Sequence, residues 1–164
     1  MEHLYAPWRS DYFSEKLEGC IFCHISQNPE SDEKHKVFYR DNQIFCVMNK
    51  YPYTPGHFLI VPHCHSDSPD LLNEEIWLHL HKFSKKGVAL LKDFGAEGIN
   101  LGMNLQKAGG AGIPAHLHLH LIPRFIGDTN FFTTIGDCRA YGVDFDKIFE
   151  KIRTLSLQHF VNDL

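Results

Sequence analysis

Nowhere in this chain do 18 consecutive apolar residues occur, and the N-terminus shows no charged segment followed by an apolar one. A membrane span and a secretory leader are therefore not expected, and the cytoplasm is the expected compartment. Positive charge is not in excess either. The formal net charge is −4, which argues against binding a nucleic-acid backbone, so an anionic ligand would have to be held by local groups rather than by a global field. An even set of cysteines is also missing. The five are Cys20, Cys23, Cys46, Cys64 and Cys138. In a reducing compartment they read as a C-x-x-C metal pair plus core thiols, not as a disulfide frame. No repeat or linker interrupts the 164 residues, and residues 1–164 read as one domain long enough to bury a core.

Histidine is what the chain has in abundance, with twelve residues. Three of them alternate with leucine from His116 to Leu121, followed by Ile122, Pro123 and Arg124. Strict alternation predicts a half-buried strand with His116, His118 and His120 on one face and the leucines toward the core. Pro123 is expected to end the pairing, because it offers no ladder donor. A helix would spread the three imidazoles over about 400° of arc. Three readings fit such a face: a polar outer surface, a tri-histidine metal centre, or a histidine nucleophile whose neighbours bind an anion and protonate its leaving group.

The flanking segments predict an α+β fold, an antiparallel sheet of about five strands with one long helix and a C-terminal helix. Residues 1–19 form an aromatic arm with Tyr5, Pro7, Trp8 and Arg9 and a short helix near Tyr12 to Leu17. Residues 27–36 are polar and read as a loop. Val37–Arg40 and Gln43–Met48 read as a hairpin around Asp41 and Asn42. His57–Val61, closed by Pro62, is the next strand. Residues 69–94 carry Leu72, Ile76, Leu80, Phe83, Gly87, Leu91 and Phe94 on one helical face, with Ser68 as N-cap, Pro69 at the first position and Gly95 as the stop. Gly98–Asn104 is a strand. Residues 144–158 form a last helix capped by Asp144, burying Phe145, Ile148, Phe149, Ile152 and Leu155.

Before the histidine strand, residues 106–115 contain Gly109, Gly110 and Gly112. Backbone amides there can approach an anion without obstruction from Cβ atoms. A phosphoryl group cradled by those amides would sit beside three imidazoles.

Asn104, the Ala108-Gly109 step and the run from His116 to Ile122 resemble the signature of the histidine triad (HIT) superfamily of nucleotidyl hydrolases and transferases. The stretch from Asn49 to His57, ending Pro55-Gly56-His57 and followed by Val61-Pro62, is similar to the family's other motif. Tyr5 to Arg9, Gly110 to Pro114 and Gly127 to Phe131 resemble the bacterial branch that includes diadenosine tetraphosphate phosphorylases. The likeness spans most of residues 4–135.

By that resemblance, His118 is the nucleophile that attacks the α-phosphorus and forms a nucleotidyl-histidine. His120 and His57 hold phosphate oxygens or protonate the leaving group, and Asn49 and Asn104 lie near ribose or phosphate. Gly110 and Gly112 contribute to the phosphate cradle. Family members with a structural zinc imply the ligand set Cys20, Cys23, His65 and His116, with His63 and Cys64 adjacent; the bland alternative is a reduced, metal-free cysteine pair. With His116 in a closed metal site, a catalytic tri-histidine centre becomes the poorer reading.

Trp8, Phe38, Phe45, Phe125 and Phe131 are aromatic candidates for an adenine slot, with Phe125 preferred for stacking. Arg9 and Arg124 are at least as well suited to pairing with carboxylates. His120 at the third triad position resembles the hydrolases, while the flanking motifs resemble the phosphorylases. The expected reaction is phosphorolysis of diadenosine tetraphosphate to ADP and ATP, with inorganic phosphate as acceptor. A HIT hydrolase of dinucleoside polyphosphates or adenosine phosphoramidates is one alternative, and a non-catalytic nucleotide-binding module is another. A homodimer is implied by analogy.

Overall fold

The computed structural model describes residues 19–130, 133, 135, 136 and 141–160. The N-terminal arm, with Trp8 and Arg9, and Phe131 and Cys138 lie outside the described residues. The sheet has five strands: β1 (Val37–Arg40), β2 (Ile44–Met48), β3 (Phe58–Pro62), β4 (Gly98–Gly102) and β5 (Leu119–Arg124). Their order is β1-β2-β3-β5-β4 and every pair is antiparallel. Helices α1 (Ile21–Gln27), α2 (Asp32–His35), α3 (Glu74–Phe94) and α4 (Phe145–His159) complete the expected α+β architecture. No helix among the described residues is long and apolar enough to cross a membrane.

The central strands β2 and β3 are buried at every position, because both faces of the sheet are covered. On one face, Ile44, Met48, Phe58, Ile60, Leu119 and Leu121 pack with Leu80, Phe83, Leu90 and Leu91 of α3 and Phe149 and Ile152 of α4. On the other, Phe45, Val47, Leu59 and Val61 pack under Phe22 and Ile25 of α1. Continuous apolar runs such as Ile44 to Met48 follow directly from this two-sided burial. Asp144 caps α4 as expected, its carboxylate accepting from the amides of Asp146 and Lys147.

Three sequence expectations are corrected. Residues 27–36 are not a plain loop but carry a 3₁₀ turn at Pro29–Ser31 and then α2, closed by Lys36 in the left-handed region at φ 60°. The long helix starts at Glu74, not at residue 69. Ser68 hydrogen-bonds Asp70, Pro69–Leu71 is a 3₁₀ turn, and Leu72 is extended; Asn73 then caps α3 by accepting from the Glu75 amide at 2.8 Å. Pairing on β5 begins at Leu119, so His116 and His118 precede the ladder, and it continues through Pro123, which pairs with Ile99. A residue's N–H and C=O leave a strand on the same side. The Pro123 carbonyl points at Thr54 Oγ1, 2.6 Å away, so the missing N–H faces β3, whose pairing with β5 has already ended at Leu121.

Helix α3 approaches the sheet closely at Gly87. A Cβ there would stand 2.5 Å from Leu121 Cδ2 and 3.0 Å from Phe58 Cζ. Overpacking of this kind costs about 1–3 kcal/mol, against a helix-propensity gain of about 1 kcal/mol for alanine. Gly87→Ala is therefore expected to lower the urea midpoint with an unchanged slope. A midpoint equal to the parent's would show that the helix can move off the sheet without cost.

Candidate active site

The loop from Asn49 to His57 returns β2 to β3 and is braced from within. The Asn49 amide donates to the His57 carbonyl, the His57 amide to the Thr54 carbonyl, and the Tyr51 amide to Asn49 Oδ1. Gly56 takes φ 89°, which suits a residue without Cβ. These bonds bring His57 to the start of β3 on the face where His120 sits; Leu59 pairs with His120 in the register of β3 and β5. His57, His116, His118 and His120 are all buried. The triad is thus not a solvated outer face. Phe22 of α1 lies over it, 5.4 Å from the ring of His116 and 5.2 Å from that of His118.

The hydrogen bonds assign the protons. His118 Nδ1 lies 2.8 Å from the carbonyl oxygen of His116. A carbonyl can only accept, so Nδ1 carries the hydrogen and Nε2 keeps its lone pair. His57 Nδ1 accepts from the Tyr53 amide at 3.1 Å, so the hydrogen of neutral His57 sits on Nε2. That nitrogen is 3.0 Å from His120 Nδ1 and donates to it. His120 must then carry its own hydrogen on Nε2, which is buried and has no hydrogen-bond partner among the described residues. One available lone pair and one unused N–H donor therefore stand on neighbouring rings, with centroids 4.9 Å apart.

Burial is the main reason these rings stay neutral. Desolvation, followed by repulsion from His120 and His118, pulls His57 down to about 3. Desolvation and then His118 pull His120 to about 4. His118 is lowered by desolvation, against its bond to the His116 carbonyl. All three are neutral near pH 7.

Cys20, Cys23, His65 and His116 converge behind the triad, their ligand atoms all within 4.8 Å of one another. Cys20 Sγ is 3.3 Å from His116 Nδ1, and Cys23 Sγ is 3.2 Å from His65 Nδ1 and 3.6 Å from His116 Nδ1. Metal–ligand lengths of 2.0–2.3 Å in a tetrahedron give edges of roughly 3.3–3.8 Å, so the donor set fits a tetrahedral ion of the zinc type. His116 Nε2 donates to the Pro62 carbonyl at 2.9 Å, which leaves Nδ1 free to ligate and fixes the ring. His63 points elsewhere, between Ser26 Oγ and the Asp41 carbonyl.

Other expected residues are placed differently. The Asn49 amide nitrogen lies 3.3 Å from both ring nitrogens of His57, of which only Nδ1 can accept from it. Asn104 is half-buried and makes no hydrogen bond to the imidazoles among the described residues. In the exposed glycine loop, the amide of Gly110 donates to the Lys107 carbonyl at 3.0 Å. That donor is already used, so the cradle expected from it is not preformed. Gly112 stays exposed. At Gly109 a Cβ would collide with the Leu105 carbonyl, so the loop needs glycine there to close.

Phe125 packs against Phe94 of α3, on the core side of the sheet rather than the imidazole side. Phe38 and Phe45 are core as well. Arg124 forks onto Asp128 at 2.6 and 2.7 Å, and that fork holds the carboxylate well below its usual range. Sequence reasoning missed Phe22 and Tyr53. The ring of Tyr53 is 4.9 Å from that of His57 and 6.2 Å from that of His120, nearly parallel to the latter at 12°. Its place four residues before His57, in the same proline-stiffened loop, was the available signal.

Comparison with known proteins gives a consistent picture. Residues 30–127 match the model of the HIT domain family. An AP-4-A phosphorylase of Mycobacterium tuberculosis is 31% identical over 151 residues, covering 85% of this chain and 76% of that one. An uncharacterized HIT-like protein of Methanocaldococcus jannaschii is 31% identical over 138 residues, covering 82% and 98%. Among solved structures, a Zn-bound histidine triad family protein from Mycobacterium smegmatis superposes with a TM-score of 0.70 at 24% identity, covering 85% of this chain and 94% of that one. That last likeness concerns the fold.

The buried imidazoles make stability depend on pH. The unfolded chain takes up their protons near pH 6.5, whereas native His57 and His120 do so only near 3 and 4. Stability is complete above pH 6.5 and falls toward pH 4, by about 1.4 kcal/mol per pH unit for each such ring. Asp41 is lowered by hydrogen bonds that overcome its burial, and Asp128 by Arg124; both act only below the usual carboxylate value of 3.8. The window between is left to the histidines. Urea unfolding at pH 7, 6 and 5 should show this decline, and a flat response would contradict the neutral buried cluster.

Proposed function

The chain belongs to the HIT domain family and is a nucleotide-processing enzyme, and from that premise we propose that it transfers a nucleotidyl group through His118, with diadenosine tetraphosphate as substrate and inorganic phosphate as acceptor. The observation that carries this reading is the pair of assigned ring nitrogens, the lone pair of His118 Nε2 beside the unpartnered N–H of His120 Nε2. A neutral imidazole with a fixed tautomer is a competent nucleophile at phosphorus. Its attack forms the N–P bond and breaks the bond from the α-phosphorus to the bridging oxygen, releasing ATP. The imidazolium that results keeps its Nδ1–H on the His116 carbonyl. ATP leaves on a phosphate oxygen, so His120 needs only to donate a hydrogen bond to the developing charge. His57 and Asn49 act as positioning residues. An oxygen of inorganic phosphate then takes the AMP from His118, restoring the neutral ring and giving ADP.

The relative named AP-4-A phosphorylase supports phosphate as acceptor, as do the motifs around Gly110 to Pro114. Water in place of phosphate would make the chain a hydrolase releasing AMP and ATP. The two are separated by incubating diadenosine tetraphosphate with and without inorganic phosphate and resolving the products. Phosphate-dependent ADP plus ATP is expected. AMP plus ATP at equal rates in both mixtures would assign water.

The reading extends to one structural zinc on Cys20, Cys23, His65 and His116, tying α1 to the sheet; the ion would serve the fold and take no part in the transfer. Burial and the neighbouring Cys20 raise the Cys23 thiol, a cost that a divalent cation would offset. Elemental analysis of protein purified without added metal should give one zinc per chain, with Cys20→Ser losing both metal and thermal stability. Full stability in verified metal-free protein would remove the zinc.

Residues 1–164 are taken to act as one domain in the cytoplasm, where the free thiols of Cys20, Cys23, Cys46 and Cys64 would persist. A homodimer is supported by β4 at the end of the sheet, with Leu101 47% exposed on an edge that pairs with no strand among the described residues.

A further inference from the structure

In-line displacement at phosphorus puts the leaving oxygen opposite the attacking nitrogen. On the nucleotidyl-transfer reading, on which this inference rests, the leaving half of the substrate must therefore depart from His118 past His120. The sheet beyond His120 is shaped to receive it. His120, Ile122 and Arg124 alternate onto one face of β5, and the register places Gly102 opposite His120 and Asn100 opposite Ile122. Gly102 has no neighbour within 4 Å of where a Cβ would stand, so the face is open beside the imidazole. The result is a shallow cleft of about 320 Å³ lined by Tyr53, Asn100, Ile122 and Arg124. From His120 to Arg124 the strand itself covers about 13 Å.

The cleft has an aromatic wall and a polar end. Tyr53 is half exposed, at 50%, although its ring lies nearly parallel to that of His120. At the far end Arg124 donates to Asn100 Oδ1 at 2.8 Å, which turns the amide of Asn100 so that its nitrogen is left to donate. We propose that this cleft is the subsite for the leaving nucleoside, whose base stacks on Tyr53 and presents its edge to Asn100 and Arg124. Selection of a dinucleoside over a mononucleoside polyphosphate would then be made here, at a distance from the nucleophile.

The test compares two substrates that share the adenosine and the tetraphosphate and differ only in the second nucleoside: diadenosine tetraphosphate and adenosine 5′-tetraphosphate. The readout is the ratio of their kcat/KM values, which does not depend on the fraction of enzyme that is folded or on any shared effect at His57 and His120. Tyr53→Ala should lower the ratio about tenfold, the scale of one base–aromatic stack, and Tyr53→Phe should keep it. A ratio unchanged in Tyr53→Ala overturns the subsite, even if both rates fall together. If the parent enzyme turns over both compounds equally well, the subsite is also overturned while the nucleotidyl-transfer reading stands. If it turns over neither, that reading fails and takes the subsite with it.

Discussion

The hydrogen bond from His118 Nδ1 to the carbonyl of His116, two residues back along the same chain, is what the rest of the site leans on. It sets which nitrogen of His118 keeps its lone pair, and it requires the backbone at His116 to be held still. His116 is held from three directions. Its Nε2 donates to Pro62 at the end of β3, its Nδ1 faces Cys20 and Cys23, and Phe22 covers its ring. The adjacent amide of Leu117 is anchored to the Ser66 carbonyl at 2.6 Å. The Cys/His cluster and the triad thus meet in one residue. A cluster of thiol and imidazole groups next to the triad can in this way fix the orientation of the His118 ring.

The second constraint is dielectric. An imidazole face lying open to water would titrate near pH 6.5 and lose its lone pairs in mild acid. Burying it moves the protonation range down and makes each ring nitrogen's role depend on its bonding partner. From the Tyr53 amide to His57, and from His57 to His120, the donors run in one direction and end on the bare Nε2–H of His120. An array of neutral donors with fixed directions stabilises developing charge without reorganising when the charge appears.

Much of this was legible in the residues. The period of two led to a strand, although only its part from Leu119 is paired; the apolar face from Leu80 to Phe94 and the Asp144 cap led to the observed helices, because there the local pattern and the tertiary environment agree. The cysteine pair and two distant histidines, grouped by family resemblance, do converge in space. The failures were tertiary or very local. Helix α1 is seven residues long and follows Cys20, an N-cap that makes no side-chain hydrogen bond, so it lacks a start signal; only packing of Phe22 and Ile25 on the sheet explains it. Pro123 reads as a strand end until Thr54 shows which side its missing N–H faces. Phe125 lies with the core and Tyr53, which had no expected role, lies beside the imidazoles, because of the sheet face each occupies. The glycine loop suggested free amides, and its turn hydrogen bonds, which composition does not reveal, consume that of Gly110.

The central claim is that His118 Nε2 forms a bond to phosphorus. Its most direct measurement is intact-protein mass spectrometry after rapid mixing with diadenosine tetraphosphate in phosphate-free buffer at neutral pH, followed by peptide mapping that avoids acid. A mass increase of one adenylyl group on His118, lost on mild acid treatment and absent from His118→Ala protein that still binds the nucleotide, is the predicted result. Steady turnover by His118→Ala, or an adduct mapped to any other residue, would contradict it.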